Sequence, residues 1–167
     1  MKWYQLVTKV LVVVLLSDPA WFNTGKAQDL VWAKRAGKSS TGEIDAGLGV
    51  AVDGAGNSYF TGHFFESATF GLGEGNQTIL SGTFHEIFVA KYNANGRLLW
   101  AKRAGGPHQG AIDEGRSIAV DGAGNVYVTG QFVNSATFGP GEANETTLSG
   151  TSTEIFLAKY DANGILV

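Results

Sequence analysis

Residues 51–57 read AVDGAGN, and the same seven letters return at 119–125. The neighbouring sequence repeats in the same way: VWAKRAG at 31–37 matches LWAKRAG at 99–105, SATFG at 67–71 returns at 135–139, and EIFVAKYNANG at 86–96 matches EIFLAKYDANG at 154–164. Each match lies 68 positions along the chain, with no gap. A fixed period of this size indicates a modular array of structural repeats.

The repeat is predicted to be made of β-strands. Gly, Asn and Asp interrupt it every several residues, and no window sustains the i, i+3, i+4 apolar spacing of a helix. Runs rich in β-branched and aromatic residues lie at 50–53, 58–64, 86–92 and 98–103. Tight connections at 53–57 and 93–96 join them into two hairpins. Four antiparallel strands connected in this way describe one blade of a β-propeller.

The strands are predicted to be covered on both faces, because runs such as IFVA and VAV do not alternate with polar residues. Neighbouring blades of a propeller supply that cover. A β-solenoid is the competing architecture, but its rungs are usually shorter and lack this pair of hairpins. The residues expected to be mostly buried are Val50, Val52, Tyr59, Phe64, Ile87, Phe88, Trp100, Val120, Tyr127, Phe132, Ile155 and Phe156.

Each tight turn offers Asp or Asn where it begins and Gly where φ must be positive. The predicted structural turn residues are Asp53, Gly54, Gly56, Asn57, Asn95 and Gly96, with Asp121, Gly122, Gly124, Asn125, Asn163 and Gly164 in the second repeat. A calcium loop would need alternating ligand oxygens and a later bidentate Glu, which D-G-A-G-N lacks. We therefore expect these turns to be structural.

The predicted organisation after residue 27 is a partial β-propeller over 28–167. It consists of the fourth strand of a preceding blade at 30–36, a blade repeat at 37–104, and a second repeat at 105–167 that stops inside its fourth strand. Propellers contain about 4–8 blades, so the ring is expected to be incomplete. Either the chain is a fragment with further blades elsewhere in a longer protein, or several copies assemble into one ring. The bare apolar strand at the end favours a fragment.

The sequence resembles a known family at VAVDGAGNSYFTG (50–62) and EIFVAKYNANGRLLWAKRAGG (86–106). These stretches are similar to the SBBP β-propeller repeat of bacterial secreted proteins. The resemblance covers nearly all of residues 31–167 and implies a propeller fold and an envelope or extracellular setting. It supplies no settled activity and no catalytic residues. The longer third connection, from SATFG to LSGT, departs from the family pattern.

Residues 1–27 are predicted to be an export signal. Lys2 and Lys9 flank the n-region, 10–16 is an unbroken apolar run, and Gly25 and Ala27 suit a cleavage site before Gln28. The run is too short to span a membrane, for which about 20 apolar residues are needed. We therefore expect a secreted, periplasmic or cell-surface protein without a membrane span after signal removal. The net charge of −3 argues against nucleic acid as a partner.

Candidate ligand-binding residues recur on the long connections, which are expected to lie at the opposite end of the blade from the tight turns. They are Asp45 and Asp113, Glu74 and Glu142, and Asn76 and Asn144. Asp45 and Asp113 suit a cation or a sugar hydroxyl, but capping of a local turn explains them more simply. The Lys-Arg pairs at 34–35 and 102–103 are expected to protect a solvated sheet edge.

No metal site, cofactor or catalytic residue is predicted. The chain has no cysteine, and the repeat counterparts of its three histidines are not histidines. Catalytic signatures such as a G-x-S-x-G elbow are missing from the sequence. The favoured function is therefore a non-catalytic scaffold or binding module with a glycan or protein ligand. A lectin-like glycan-binding module and a fragment of a propeller enzyme are the alternatives.

Overall fold

The strands follow the repeat in the sequence. The computed structural model describes residues 31–38, 44–108, 110 and 112–167, so the predicted signal at 1–27 lies outside the described residues. The strands are β1 (Ala46–Val52), β2 (Ser58–Phe70), β3 (Thr78–Tyr92), β4 (Leu98–Gly105), β5 (Glu114–Val120), β6 (Val126–Phe138) and β7 (Thr146–Tyr160). Among the described residues, no helix is long and apolar enough to cross a membrane.

All named strand pairs are antiparallel, which confirms the predicted all-β fold. β1 to β4 pair in chain order, and β5, β6 and β7 repeat the first three strands. The pairing recurs exactly one repeat later: Val50 opposes Phe60 in β1–β2, and Ile118 opposes Val128 in β5–β6. β4 then crosses into the second repeat, where Ala104 opposes Phe138 on β6. The architecture is that of an incomplete propeller with folded-back hairpins.

The long connections between β2 and β3 and between β6 and β7 were expected to be loops, but they continue the strand pairing. The ladder between β2 and β3 is interrupted by a bulge between Phe65 and Ser67, where Glu66 has a φ of 56°. Beyond the bulge, pairing resumes to the end of the hairpin, and Ala68, Phe70 and Leu80 are buried against the inner part of the same blade. A bulge bends a strand sharply, so the outer arm of the hairpin folds back over its own sheet.

The predicted strand at 30–36 is not formed over its described residues. Gly37 makes one isolated bridge to Thr69, and residues 31–36 carry no strand ladder. The matching strand β4 is held along its length by β3, from Ile87 to Tyr92. No described residue supplies such a neighbour to 31–36, which explains the difference.

The hydrophobic core consists of two clusters, one for each repeat. The first cluster contains Phe64, Phe70, Phe88, Tyr92 and Leu98, with Ala68, Leu80, Ala90 and Ala101. The second contains the corresponding side chains of the second repeat, and in addition Tyr59, Ile87 and Val89 from the first. The two repeats therefore share one apolar interface, to which the first repeat contributes side chains of β2, β3 and β4, the last through Ala104.

Most of the predicted core is confirmed. Tyr59, Phe64, Ile87, Phe88, Phe132 and Phe156 are buried, and Trp100, Val120 and Tyr127 are half-buried. Val50, Val52 and Ile155 were expected to be buried but are exposed at 72%, 61% and 88%. The reason is position in the array: Ile87 is covered by the second repeat, whereas no described element covers its counterpart Ile155.

Candidate functional site

Asp45 and Asp113 bind backbone amides at the start of each repeat. Asp113 accepts hydrogen bonds from Gly106 N and Val133 N, both at 2.9 Å, and its side chain is buried. Asp45 accepts the equivalent bonds from Lys38 N at 3.1 Å and Phe65 N at 3.0 Å. Burial raises the pKa of Asp113, while the two amides oppose that shift. Each aspartate thus ties the segment entering a repeat to the bulge of its hairpin.

Glu74 and Asn76 lie at the tip of the folded-back hairpin and clamp the first residue of β4. Glu74 Oε2 accepts a hydrogen bond from Leu98 N at 2.8 Å, and Asn76 Nδ2 donates to Leu98 O. Glu142 and Asn144 bind Leu166 in the same way, at 2.8 and 3.0 Å. Lys34 and Leu98 N together lower the pKa of Glu74.

These contacts correct the expected placement of the hairpin tips. Leu98 directly follows the tight turn at 93–96, so Glu74 and Asn76 lie beside that turn. The sequence placed the long connections at the opposite end of the blade. A long unpaired loop would lie at that opposite end. Because of the bulge at Phe65, the outer arm of the β2–β3 hairpin instead folds back to the end of the blade that carries the tight turns.

The tight turns are closed by their first side chain. Asp53 Oδ1 accepts from Ala55 N and Asn57 N, both at 2.9 Å, and Oδ2 accepts from the Asn57 amide and the Tyr59 hydroxyl. The hydrogen bonds lower the pKa of Asp53 to about 2. Asp121 repeats the pattern, and its pKa is lowered for the same reason.

The second pair of tight turns, at 93–96 and 161–164, is closed in the same way, by an Asn side chain in the first repeat and an Asp side chain in the second. Asn93 Oδ1 accepts from Asn95 N at 3.0 Å and Arg97 N at 2.9 Å, and Asp161 occupies the matching position. Gly96 and Gly164 have φ values of 72° and 78°, which side chains rarely adopt. A Cβ on Gly96 would also collide with the Trp32 ring.

Tryptophan and lysine side chains connect successive repeats. Trp100 Nε1 donates to Ala162 O at 3.2 Å, and Lys102 pairs with Glu142 at 2.5 Å. Residues 32–36 make the same contacts with the first repeat: Trp32 Nε1 donates to Ala94 O at 3.1 Å, and Lys34 pairs with Glu74 at 3.0 Å. The lysines therefore join repeats and do not simply protect a solvated edge.

A polar cluster that the sequence did not indicate lies between the repeats. His63 Nδ1 lies 3.4 Å from Glu114 Oε2, and the His63 and His85 rings are 5.2 Å apart. Burial and His85 lower the pKa of His63, and Glu114 partly opposes them. Comparing the repeats misses this cluster, because the counterparts of His63 and Glu114 are Gln131 and Ala46. Within the described ranges, no group of three or more such side chains is arranged to hold a metal.

A recess of about 170 Å³ opens on the first repeat. Its floor is aromatic, with Phe60, Phe64, Phe70 and Phe88, and Asp45 lies at its lining. In the second repeat, the counterparts of these aromatic residues belong to the cluster that also contains Ile87 and Val89. The recess therefore corresponds to the surface of the second repeat that packs with Ile87 and Val89.

Comparison with protein families supports the repeat. Residues 99–131 match the family model of the SBBP β-propeller repeat. The matched segment runs from β4 into β6 and includes the second D-G-A-G-N turn, which confirms the resemblance over residues 99–131. A comparison with curated proteins finds no match. The SBBP repeat fold suggests a binding or scaffold module.

Proposed function

We propose that this SBBP repeat protein is a non-catalytic scaffold or binding module of an exported bacterial protein, acting in the periplasm, at the cell surface or outside the cell. One observation carries the proposal. The carboxylates and amides that recur in both repeats all bond to the backbone of neighbouring elements. Side chains used in this way hold blades in register and leave few groups for chemistry on a substrate.

The proposed module needs no cofactor. Its ligand would be a macromolecule bound over an extended surface. A lectin-like site would need free carboxylate oxygens at the blade tips, but Glu74 Oε2 accepts from Leu98 N and Glu74 Oε1 pairs with Lys34. This argues for a protein ligand over a glycan.

A glycan array and an export assay test the proposal together. The full chain, expressed with its N-terminal segment in a Sec-competent bacterium, should be recovered outside the cytoplasm with Gln28 as its first residue by mass spectrometry. It should show no saturable glycan binding. Saturable binding that Glu74→Gln and Glu142→Gln abolish, in variants of unchanged thermal stability, would establish the lectin-like alternative instead.

A further inference from the structure

The two ends of the described array carry the two halves of one interface. Ile87 and Val89 on β3 are each 1% exposed, because the second repeat covers them. Their counterparts on β7, Ile155 and Leu157, are 88% and 72% exposed. β7 therefore carries the same apolar surface that β3 buries against the second repeat, and no described residue covers it on β7.

The matching socket is exposed on the first repeat. Ile118 lies in the second cluster at 8% exposure, and its counterpart Val50 is 72% exposed. Phe60, Phe64 and Phe88 line the recess. Val50 lies next to it, because Val50 opposes Phe60 in the β1–β2 ladder. The counterparts of these three phenylalanines, Val128, Phe132 and Phe156, belong to the buried cluster that contains Ile87 and Val89.

Residues 32–36 supply the strand edge for the same contact. β4 pairs with β3 through Ile87↔Ala104, Val89↔Lys102 and Lys91↔Trp100. The counterparts of the β4 residues are Ala36, Lys34 and Trp32, in a sequence that repeats β4. Trp32 and Lys34 already dock this segment on the first repeat as Trp100 and Lys102 dock β4 on the second.

We propose that a second copy of this chain binds head to tail, with its β7 paired antiparallel to residues 32–36 and its Ile155 and Leu157 seated in the aromatic recess. The register follows from β3–β4: Ile155 opposes Ala36 and Leu157 opposes Lys34. The added strand gives the second copy's blade four strands and pairs backbone groups that otherwise face solvent. The interface is heterologous, so it closes into a ring or grows as a filament.

Each further copy would add its described repeats to the same array. This assembly is the form in which the proposed scaffold would act. The assembly is detected by its mass, whereas the scaffold function is tested by export and glycan binding. Either proposal can therefore fail while the other stands.

Light scattering after size exclusion tests the proposal on the full chain. Ile155→Glu places a charge on the β7 side of the proposed interface, and Val50→Glu places one on the recess side. Both side chains are exposed within one chain, at 88% and 72%. Wild-type protein should run as a multiple of the chain mass that dissociates on dilution, and each variant alone should run as a monomer. Ile79→Glu is the matched control, because Ile79 is 62% exposed and belongs to neither cluster; it should assemble like wild type.

Mixing the two variants gives the sharpest outcome. Each retains the half that the other has lost, so an equimolar mixture should form a one-to-one pair and nothing larger. Circular dichroism checks that both variants keep the wild-type β signal. Monomeric wild-type protein at its highest soluble concentration would overturn the proposal. So would an assembling Ile155→Glu variant, or a mixture that forms no pair.

Discussion

Replacing Asp113 by Asn tests whether this carboxylate holds the second repeat together. Its two oxygens accept from Gly106 N and Val133 N, both at 2.9 Å, and the side chain is 1% exposed. An Asn side chain offers one acceptor oxygen and one NH₂ group. One of the two backbone amides then faces a donor and loses its partner in a buried place.

The magnitude follows from these contacts. A hydrogen bond to a charged acceptor contributes about 1.5–3 kcal/mol, and a buried unsatisfied amide adds a penalty of similar size. Against this, burial raises the pKa of Asp113 above 3.8, so ionisation weakens folding as pH rises through that range. The neutral Asn avoids that cost, which leaves a net loss of about 2 kcal/mol at pH 7.

Urea unfolding followed by tryptophan fluorescence measures this loss. The matched variant is Asp45→Asn in the first repeat, where the bonds are 3.0 and 3.1 Å and the side chain is only half-buried. We expect it to cost about 1 kcal/mol. If Asp113→Asn unfolds within about 0.5 kcal/mol of wild type, the level of an ordinary surface change, the carboxylate does not hold the repeat.

Three further predictions concern the core, a close strand contact and pH. Phe88→Ala should lower the free energy of unfolding by about 3–5 kcal/mol, since the ring is buried among aromatic neighbours, whereas Ile79→Ala at an exposed site should change it by less than about 0.5 kcal/mol. Gly62→Ala should be severely destabilising in thermal melts, because its Cβ would overlap a carbonyl oxygen of β1; Gly47→Ala, with open space around it, is the tolerated control. The pKa of His63 is below its ordinary 6.5, so the unfolded chain binds the proton more readily and stability should fall as pH drops below 6.5. His63→Gln should flatten that part of the pH dependence of urea unfolding, and an unchanged slope would contradict the assignment.

The strand content and the pairing could be predicted because the repeat has no gaps and its turn and strand signals are local. Turn chemistry at Asp53 and Gly96, together with β-branched and aromatic runs, determines hairpins without reference to the rest of the chain. The folded-back arm could not be predicted in this way. Its bend depends on a bulge at Phe65 and on Glu66 adopting a positive φ, a conformation that Glu does not signal in sequence.

The core was predicted correctly where the described residues supply a covering repeat, as for Ile87, and wrongly where they supply none, as for Ile155. Ile87 and Ile155 have the same local sequence, yet among the described residues a second repeat covers Ile87 and leaves Ile155 exposed. The same limit applies to the polar cluster, since His63 and Glu114 belong to different repeats. The candidate ligand-binding residues were found by recurrence, and recurrence alone does not separate a binding group from a backbone clamp.

Native-state hydrogen exchange at the clamped amides tests the central claim, that the recurring polar side chains hold the blades together. The amides of Gly106 and Val133 donate hydrogen bonds to the Asp113 carboxylate, and the Leu98 amide donates to the Glu74 carboxylate. If those side chains are structural, the three amides should exchange only through large-scale opening, with free energies approaching that of global unfolding. Exchange at the rate of an unprotected peptide would contradict the account, because the carboxylates would then be free to bind a ligand.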